Sequence, residues 1–219
     1  MSVSVSVSVE ECPRVESPVE PRTVVLNIPK EVRLKISPED FWTLCTQNRL
    51  PRLERTAEGE LVVMSPAGYR TSSLELKVGA AVLDWAQRNR NGCVAGSNGG
   101  FTLPNGAVRA ADVSWVAEER WKALTKKQRS VFAPITPDFV IEICSPSDNR
   151  NQTRAKMVEY LEQGVRLGWL IDARTPEFEV EIHRRGQAVE TLSKPQTVSG
   201  DDVLPGFILE LGKILAEAP

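Results

Sequence analysis

The feature that most limits what this chain can fold into is a short apolar run, Phe139–Ile143, that contains a single carboxylate, Glu142. The run lies within the segment from Pro137 to Pro146, which reads PDFVIEICSP. A run this short, rich in β-branched residues and bounded by proline on both sides, predicts a buried strand rather than a helix. Burying an ionised carboxylate is costly unless it is paired, hydrogen-bonded or bound to a cation. Glu142 therefore needs a partner from elsewhere in the chain.

A second apolar segment, from Arg109 to Val116, carries Asp112 in the same way. If the two strands are neighbours, their carboxylates can converge across about 5 Å. Asp138 is a poorer partner for Glu142, because four residues along one strand span about 13 Å. Two carboxylates and several waters suit Mg²⁺ or Mn²⁺. The pattern predicts a cation site at Asp112 and Glu142, with Lys156 available to orient or deprotonate a water.

The composition limits the class of protein. The 219 residues are 41% hydrophobic and 26% charged, as in an ordinary globular protein. A net charge of -2 means that nucleic-acid binding requires a local positive patch. Four cysteines without a CxxC pair and a single histidine exclude the common structural zinc sites. Without a membrane-length apolar run or a signal-peptide pattern, we expect a cytoplasmic protein that makes no membrane contact.

The N-terminal segment differs from the remainder of the sequence. Residues 1–9 alternate serine and valine after the initial methionine, and residues 10–22 contain three prolines without periodicity. We predict that residues 1–22 form a disordered or loosely attached leader, although the alternation also permits an edge strand added to a partner. Residues 23–219 are predicted to form a single domain.

Within that domain, helix and strand patterns predict a mixed α/β fold with a central sheet. Ser37 followed by Pro38 and two acids predicts a helix start. The remaining predicted elements are a first strand near 24–26, a hairpin at 52–56 and 60–64, a helix at 71–90, a hairpin at 99–103 and 108–116, a strand at 139–143, a helix from Asp148 or Asn149 to Gln163, and strands at 167–171, 178–184 and 188–192.

Six segments of the sequence carry a recognisable pattern: 97–107, 112–116, 137–148, 156–160, 168–172 and 203–207. In this order they resemble the Uma-two family of restriction-endonuclease-like proteins, which belongs to the PD-(D/E)XK nuclease superfamily and is abundant in cyanobacteria. The similarity covers roughly residues 24–215. The resemblance implies an αβββαβ core, here with an extra N-terminal helix and hairpin. It also implies divalent-metal dependence and phosphodiester hydrolysis. We expect the substrate to be nucleic acid, DNA rather than RNA.

The resemblance assigns Asp112 and Glu142 as metal ligands and Lys156 as the catalytic lysine. Three positions depart from the superfamily pattern. Ala111 replaces the proline before the aspartate, and Cys144 stands where the superfamily has lysine. Members of the family also lack the lysine at this position, and their catalytic lysine lies in the helix that follows the strand. Arg154 occupies a position that is often glutamine. By analogy with small nucleases of this fold, we also expect a homodimer.

Each candidate residue also has a purely structural interpretation. Asp112 can cap a strand end or pair with Arg109, and Lys156 can be a solvated surface lysine. Glu75 on the long helix and Glu60 in the first hairpin are weaker candidates for a third acid. Three further residues are assigned no role: Asp172 is predicted to be a turn residue, His183 a surface residue and Cys144 a small packing residue.

Two other functional classes fit the sequence. One is a binding module that keeps the nuclease fold without catalysis, and it should bind its partner equally well in a chelator. The other is a regulatory homodimer with no nucleic-acid role, which salt-dependent DNA binding would contradict.

Overall fold

The structure, a computed structural model, describes residues 3–8, 23–28, 33–48, 52–64 and 66–217, with the backbone alone for the first two ranges. In chain order the elements are β1 (Val3–Ser8), β2 (Thr23–Ile28), α1 (Pro38–Gln47), β3 (Arg52–Arg55), β4 (Leu61–Met64), α2 (Tyr69–Asn89), β5 (Gly92–Gly96), β6 (Phe101–Thr102), β7 (Val108–Arg109), β8 (Val113–Ala117), α3 (Glu118–Ala123), α4 (Lys126–Arg129), β9 (Phe139–Ile143), α5 (Arg150–Glu162), β10 (Leu167–Asp172), β11 (Glu179–Arg184), β12 (Glu190–Ser193), β13 (Val198–Ser199), β14 (Ile208–Leu209) and α6 (Leu211–Ala216).

A six-stranded mixed sheet lies at the centre of the fold, in the order β12-β11-β10-β9-β8-β5. Strands β9 and β10 are parallel, and the other neighbours in this sheet are antiparallel. A four-stranded sheet, β4-β3-β7-β6, accompanies it. The predicted mixed α/β architecture with a central sheet is therefore confirmed.

Local sequence signals fix several element boundaries. The Ser37 hydroxyl accepts a hydrogen bond from the Asp40 amide at 3.0 Å, which caps α1 as predicted. Asn149 caps α5 by accepting from the Asn151 amide at 3.0 Å. Gly164, at φ 111°, provides the left-handed turn that follows α5.

The predicted strand 108–116 is wrong as one continuous element. Its first part is β7, which pairs with β3 and β6, and its second part is β8, which enters the central sheet between β5 and β9. Residues 110–112 cross from one sheet to the other. Strand β5 and helices α3 and α4 were not predicted, because β5 begins and ends with glycine and both helices are short.

The N-terminal strands pair with each other. Strand β1 is antiparallel to β2, with Val3 opposite Ile28 and Ser8 opposite Thr23. Thus part of the predicted leader is a strand that pairs within its own chain, while residues 9–22 lie outside the described ranges. The domain boundary at residue 22 stays a prediction.

Apolar layers cover both faces of the central sheet. One layer joins α2 and α6 to the sheet through residues such as Val78, Trp115 and Trp169. The other joins α5 and the four-stranded sheet to the opposite face through residues such as Val140 and Tyr160. This double coverage explains the nearly continuous apolar sequence of β9. Within the described ranges, no helix combines the length and the apolar composition that a membrane crossing requires.

Candidate active site

Pairing of β8 with β9 brings the two predicted acids together. The antiparallel register places Val113 opposite Ile141, so Asp112 and Glu142 are adjacent at the next position. Asp112 Oδ2 also accepts a hydrogen bond from the backbone amide of Ile143 at 2.8 Å. Alternation along β9 turns Phe139, Ile141 and Ile143 toward α2 and leaves Glu142 on the α5 side. Glu142 is thus a buried acid beneath α5.

Helix α5 places Lys156 directly over Glu142. The Lys156 ammonium lies 2.9 Å from Glu142 Oε1 and 2.8 Å from Glu54 Oε1. One turn later, the Tyr160 hydroxyl donates to Glu142 Oε1 at 3.2 Å. The Lys156 side chain is largely buried, so the interpretation of Lys156 as a solvated surface residue is wrong.

Glu54 on β3 is an acid of this site that the sequence did not identify. Its Oε1 also accepts from the Ala110 amide at 3.0 Å, and its Oε2 accepts from Arg109 at 3.2 Å. Strand β3 reads Arg-Leu-Glu-Arg, in which charged residues at alternate positions indicate a solvated face. Glu54 is buried only because that face is covered by α5 and β7, which the local sequence does not reveal.

Two arginines complete the cluster of charges. Arg52 donates two hydrogen bonds to Asp112 Oδ1, each at 3.2 Å, and a third to the Ala110 carbonyl at 2.7 Å. Arg109 pairs with Glu54 and with Glu159, the latter at 2.7 Å. The pairing of Asp112 with Arg109 is therefore not found; Arg52 takes that place because β3 lies beside β7.

Burial and ion pairing act in opposite directions on the pKa values of the site, and burial prevails at Glu142 but not at Lys156 or Glu54. Burial raises the pKa of Glu142 to about 7, with Asp112 and Glu54 adding to the effect and Lys156 opposing it. Burial lowers the pKa of Lys156, but attraction by Glu142 and Glu54 outweighs it and holds that pKa well above the ordinary value. For Glu54, Lys156 and Arg109 outweigh burial, so its pKa is lowered. Lys156 is consequently an ammonium and a hydrogen-bond donor rather than a free base.

The two weaker candidates differ in position. Glu75 on α2 is half-buried, and burial together with the Asp112 charge raises its pKa to about 7, against the opposing effect of Arg52. Glu60 instead forms an antiparallel bridge with Lys35 at the other end of the hairpin. In the described part of the chain, the cationic side chains of the site pair with other acids and not with Glu60. Glu54, rather than Glu60, is the hairpin acid at this position.

The residues present suit a hard divalent cation. Five carboxylates lie among three cationic side chains: Glu54, Glu75, Asp112, Glu142 and Glu159 against Arg52, Arg109 and Lys156. No described residue donates a hydrogen bond to Glu142 Oε2. Across the described ranges, no three His, Cys, Asp or Glu side chains are grouped closely enough to enclose a metal. Mg²⁺ can also be held by two carboxylates together with several waters, and Asp112 and Glu142 are the two residues that would supply them.

Of the three residues that were assigned no role, two lie in the predicted environment and one does not. Asp172 closes β10 and accepts hydrogen bonds from Arg174, as expected for a turn residue. Cys144 is buried among apolar side chains, as predicted. The prediction that His183 is a surface residue is wrong. It is buried on β11, where its Nε2 lies 3.3 Å from Glu181.

The fold is that of a nuclease-like α/β protein. The structure is similar to the crystal structure of a putative nuclease belonging to DUF820 from Anabaena variabilis, with a TM-score of 0.64 and 20% sequence identity over 75% of this chain and 89% of that chain. A family profile, Uma2, described as "Putative restriction endonuclease", matches residues 38–212. The chain belongs to this family, which confirms the resemblance seen in the sequence. No curated protein matches the chain.

Proposed function

We propose that this protein is a divalent-metal-dependent endonuclease that hydrolyses phosphodiester bonds in DNA. The observation that carries the proposal is the position of the Lys156 ammonium, 2.9 Å from Glu142 and one strand away from Asp112. Two acids that can hold a divalent cation, beside a buried and protonated lysine, can supply the positive charge that stabilises the transition state of phosphoryl transfer. The family description and the nuclease-like fold support the same activity.

Asp112 and Glu142 are the residues that would hold Mg²⁺ or Mn²⁺. When bound, the cation would polarise the phosphate and lower the pKa of a water. Lys156 contributes a fixed positive charge where the pentavalent phosphate gains negative charge. Glu54 and Tyr160 hold Lys156 and Glu142 in place from two sides, and Arg52 orients Asp112. A homodimer in the cytoplasm is the proposed working form.

Nicking of supercoiled plasmid tests the activity. Wild-type protein should convert supercoiled plasmid to the open-circular form with Mg²⁺ or Mn²⁺ and should be inactive in chelator. Glu142→Gln and Lys156→Ala should lose the activity. Arg154→Ala is the matched control, because Arg154 lies on the same helix but pairs with Glu181 away from the site.

Three outcomes would overturn the proposal. Chelator-resistant nucleic-acid binding without any cleavage would indicate a binding module that keeps the nuclease fold. Absence of both cleavage and salt-dependent binding would indicate a regulatory protein with no nucleic-acid role. Equal nicking by wild type and Glu142→Gln would reveal a contaminating nuclease or a different active site.

A further inference from the structure

Helix α2 presents an apolar stripe to solvent. Tyr69, Leu76 and Leu83 are 81%, 74% and 43% exposed, and Ala80 between the two leucines is also exposed. Seven residues correspond to nearly two full helical turns, so these side chains lie on one line along the helix. Val78, on the other side of α2, is fully buried in the core. The α2 stripe, defined as Tyr69, Leu76, Ala80 and Leu83, is thus a second apolar face on the same helix.

The spacing of the α2 stripe is that of a helix-pairing seam. An apolar repeat every seven residues allows two helices to stay in contact along their length. A continuous apolar stripe on a surface helix indicates an interaction site, whereas apolar residues scattered singly over a surface do not. Ala80 near its centre permits close approach of a second helix.

We propose that the α2 stripe binds the α2 stripe of a second copy of this chain, with the two helices antiparallel. Two-fold symmetry requires that each residue and its contact exchange roles between the copies. A two-fold axis near Ala80 places Leu76 against the partner's Leu83, and Leu83 against the partner's Leu76. The same surface therefore fits itself without any further element.

The charges beside the stripe favour the antiparallel arrangement. Lys77 and Asp84 are seven residues apart and lie on the same flank of the stripe. In an antiparallel pair like flanks meet, so Lys77 faces the partner's Asp84 and Asp84 faces the partner's Lys77. In a parallel pair this flank would instead meet the uncharged flank that contains Ser72 and Gly79. The antiparallel pair gains two opposite-charge contacts that the parallel pair lacks.

Both charged residues are able to change partners. Within one chain, Lys77 donates to the Glu217 carbonyl at 2.8 Å, and Asp84 pairs with Arg88 at 2.8 Å. These contacts lie at the surface, where an ion pair contributes little to stability. Association would therefore exchange weak contacts for equivalent ones while burying the leucines.

This inference assigns an interface to the homodimer proposed above, and it does not depend on catalysis. Glu75, whose pKa is affected by Asp112, immediately precedes Leu76 in the chain. The antiparallel contact would therefore place the two candidate active sites on either side of one two-fold axis.

Sedimentation velocity of the full chain in chelator tests whether two copies associate through the α2 stripe. Wild type should form a dimer that dissociates on dilution, and Leu76→Glu should raise the dissociation constant at least about tenfold by placing a charge in the seam. Val189→Glu is the matched control, since Val189 is 49% exposed and lies outside α2. A wild type that stays monomeric to about 100 µM, or a dimer unaffected by Leu76→Glu, would overturn the proposal. Circular dichroism verifies that each variant is folded.

Charge exchange tests the orientation. Lys77→Asp and Asp84→Lys should each weaken the dimer, because each homodimer then contains two like-charge contacts. An equimolar mixture of the two variants should recover dimer, because the heterodimer restores two opposite-charge contacts. Failure of the mixture to associate more strongly than either variant alone would refute the antiparallel register. Neither experiment measures cleavage, so its result is independent of the proposed activity.

Discussion

Glu142→Gln should stabilise the folded protein at pH 8 in the absence of metal. Glutamine keeps the shape of the side chain and an oxygen that can accept from Lys156 and Tyr160. It removes a buried charge, and relief of that kind increases stability when the neighbouring groups stay hydrogen-bonded. Lys156 retains Glu54 as an ionic partner in the variant. The substitution therefore removes a charge penalty without leaving a buried cation alone.

The size of the stabilisation expected for Glu142→Gln follows from the pKa of Glu142. Burial raises this pKa from 4.5 to about 7, so deprotonation opposes folding. The penalty is absent well below pH 4.5, grows as the pH rises from 4.5 to about 7, and is constant above that. Glu142→Gln removes this penalty, so the variant should gain about 3 kcal/mol of stability at pH 8 and less than about 1 kcal/mol at pH 5. For a chain of this length, about 3 kcal/mol raises the Tm by about 6–12 °C.

Thermal melts in chelator at pH 8 and pH 5 check this expectation. Glu190→Gln is the control, because Glu190 is half-exposed and its removal should change stability by no more than about 0.5 kcal/mol. Destabilisation of Glu142→Gln by several kcal/mol at pH 8 would show that Glu142 is held as a structural ion pair with Lys156. An equal stabilisation at both pH values would show that titration of Glu142 is not its cause.

Three further predictions concern Asp112, Lys156 and His183. Asp112→Asn should remove Mg²⁺ or Mn²⁺ binding measured by calorimetry, and binding equal to wild type would refute the assignment of Asp112 as a ligand. Lys156→Ala should lower single-turnover cleavage by a factor of about 10² to 10³, whereas Arg154→Ala should not; activity near wild type in Lys156→Ala would place the catalytic lysine elsewhere. Burial lowers the pKa of His183 below 6.5, so its stabilising contribution is lost as pH falls below that value. His183→Gln should therefore flatten the decline in urea stability between about pH 7 and pH 5, and an unchanged slope would contradict this.

Elements with strong local signals were predicted from the sequence. Strand β9 is defined by β-branched residues between two prolines, and α1 by Ser37 and Pro38. The turn after α5 requires the left-handed conformation that Gly164 adopts. In each case the decisive physical preference acts within a few residues, so it is visible without knowledge of the tertiary structure.

Elements that depend on tertiary pairing were not predicted. Strand β5 has glycine at both ends, and its extended conformation is stabilised by pairing with β8. The position of Glu54 likewise depends on the packing of β3 beside β7 and beneath α5. The sequence identified Asp112, Glu142 and Lys156 as candidates, but neither Arg52 nor Glu54 stands out in an alternating polar strand.

The balance of charge around each buried acid separates the candidate site from a structural cluster in the same protein. Glu181 on β11 is buried, yet Arg154 and Arg150 both donate to it and outweigh the effect of burial, so its pKa is lowered. At Glu142 the balance is reversed, because Glu142 shares the ammonium of Lys156 with Glu54, which also pairs with Arg109.

This difference explains why burial prevails at Glu142 and raises its pKa, and why the cluster around Glu181 needs no additional cation. Glu181, whose charge is neutralised by Arg150 and Arg154, holds α5 against β11. An acid with an incompletely neutralised charge, beside Asp112 and beneath a protonated lysine, has the electrostatic character that a divalent cation would complete. The excess of negative charge is thus the strongest physical reason to expect metal binding at Glu142 rather than at Glu181.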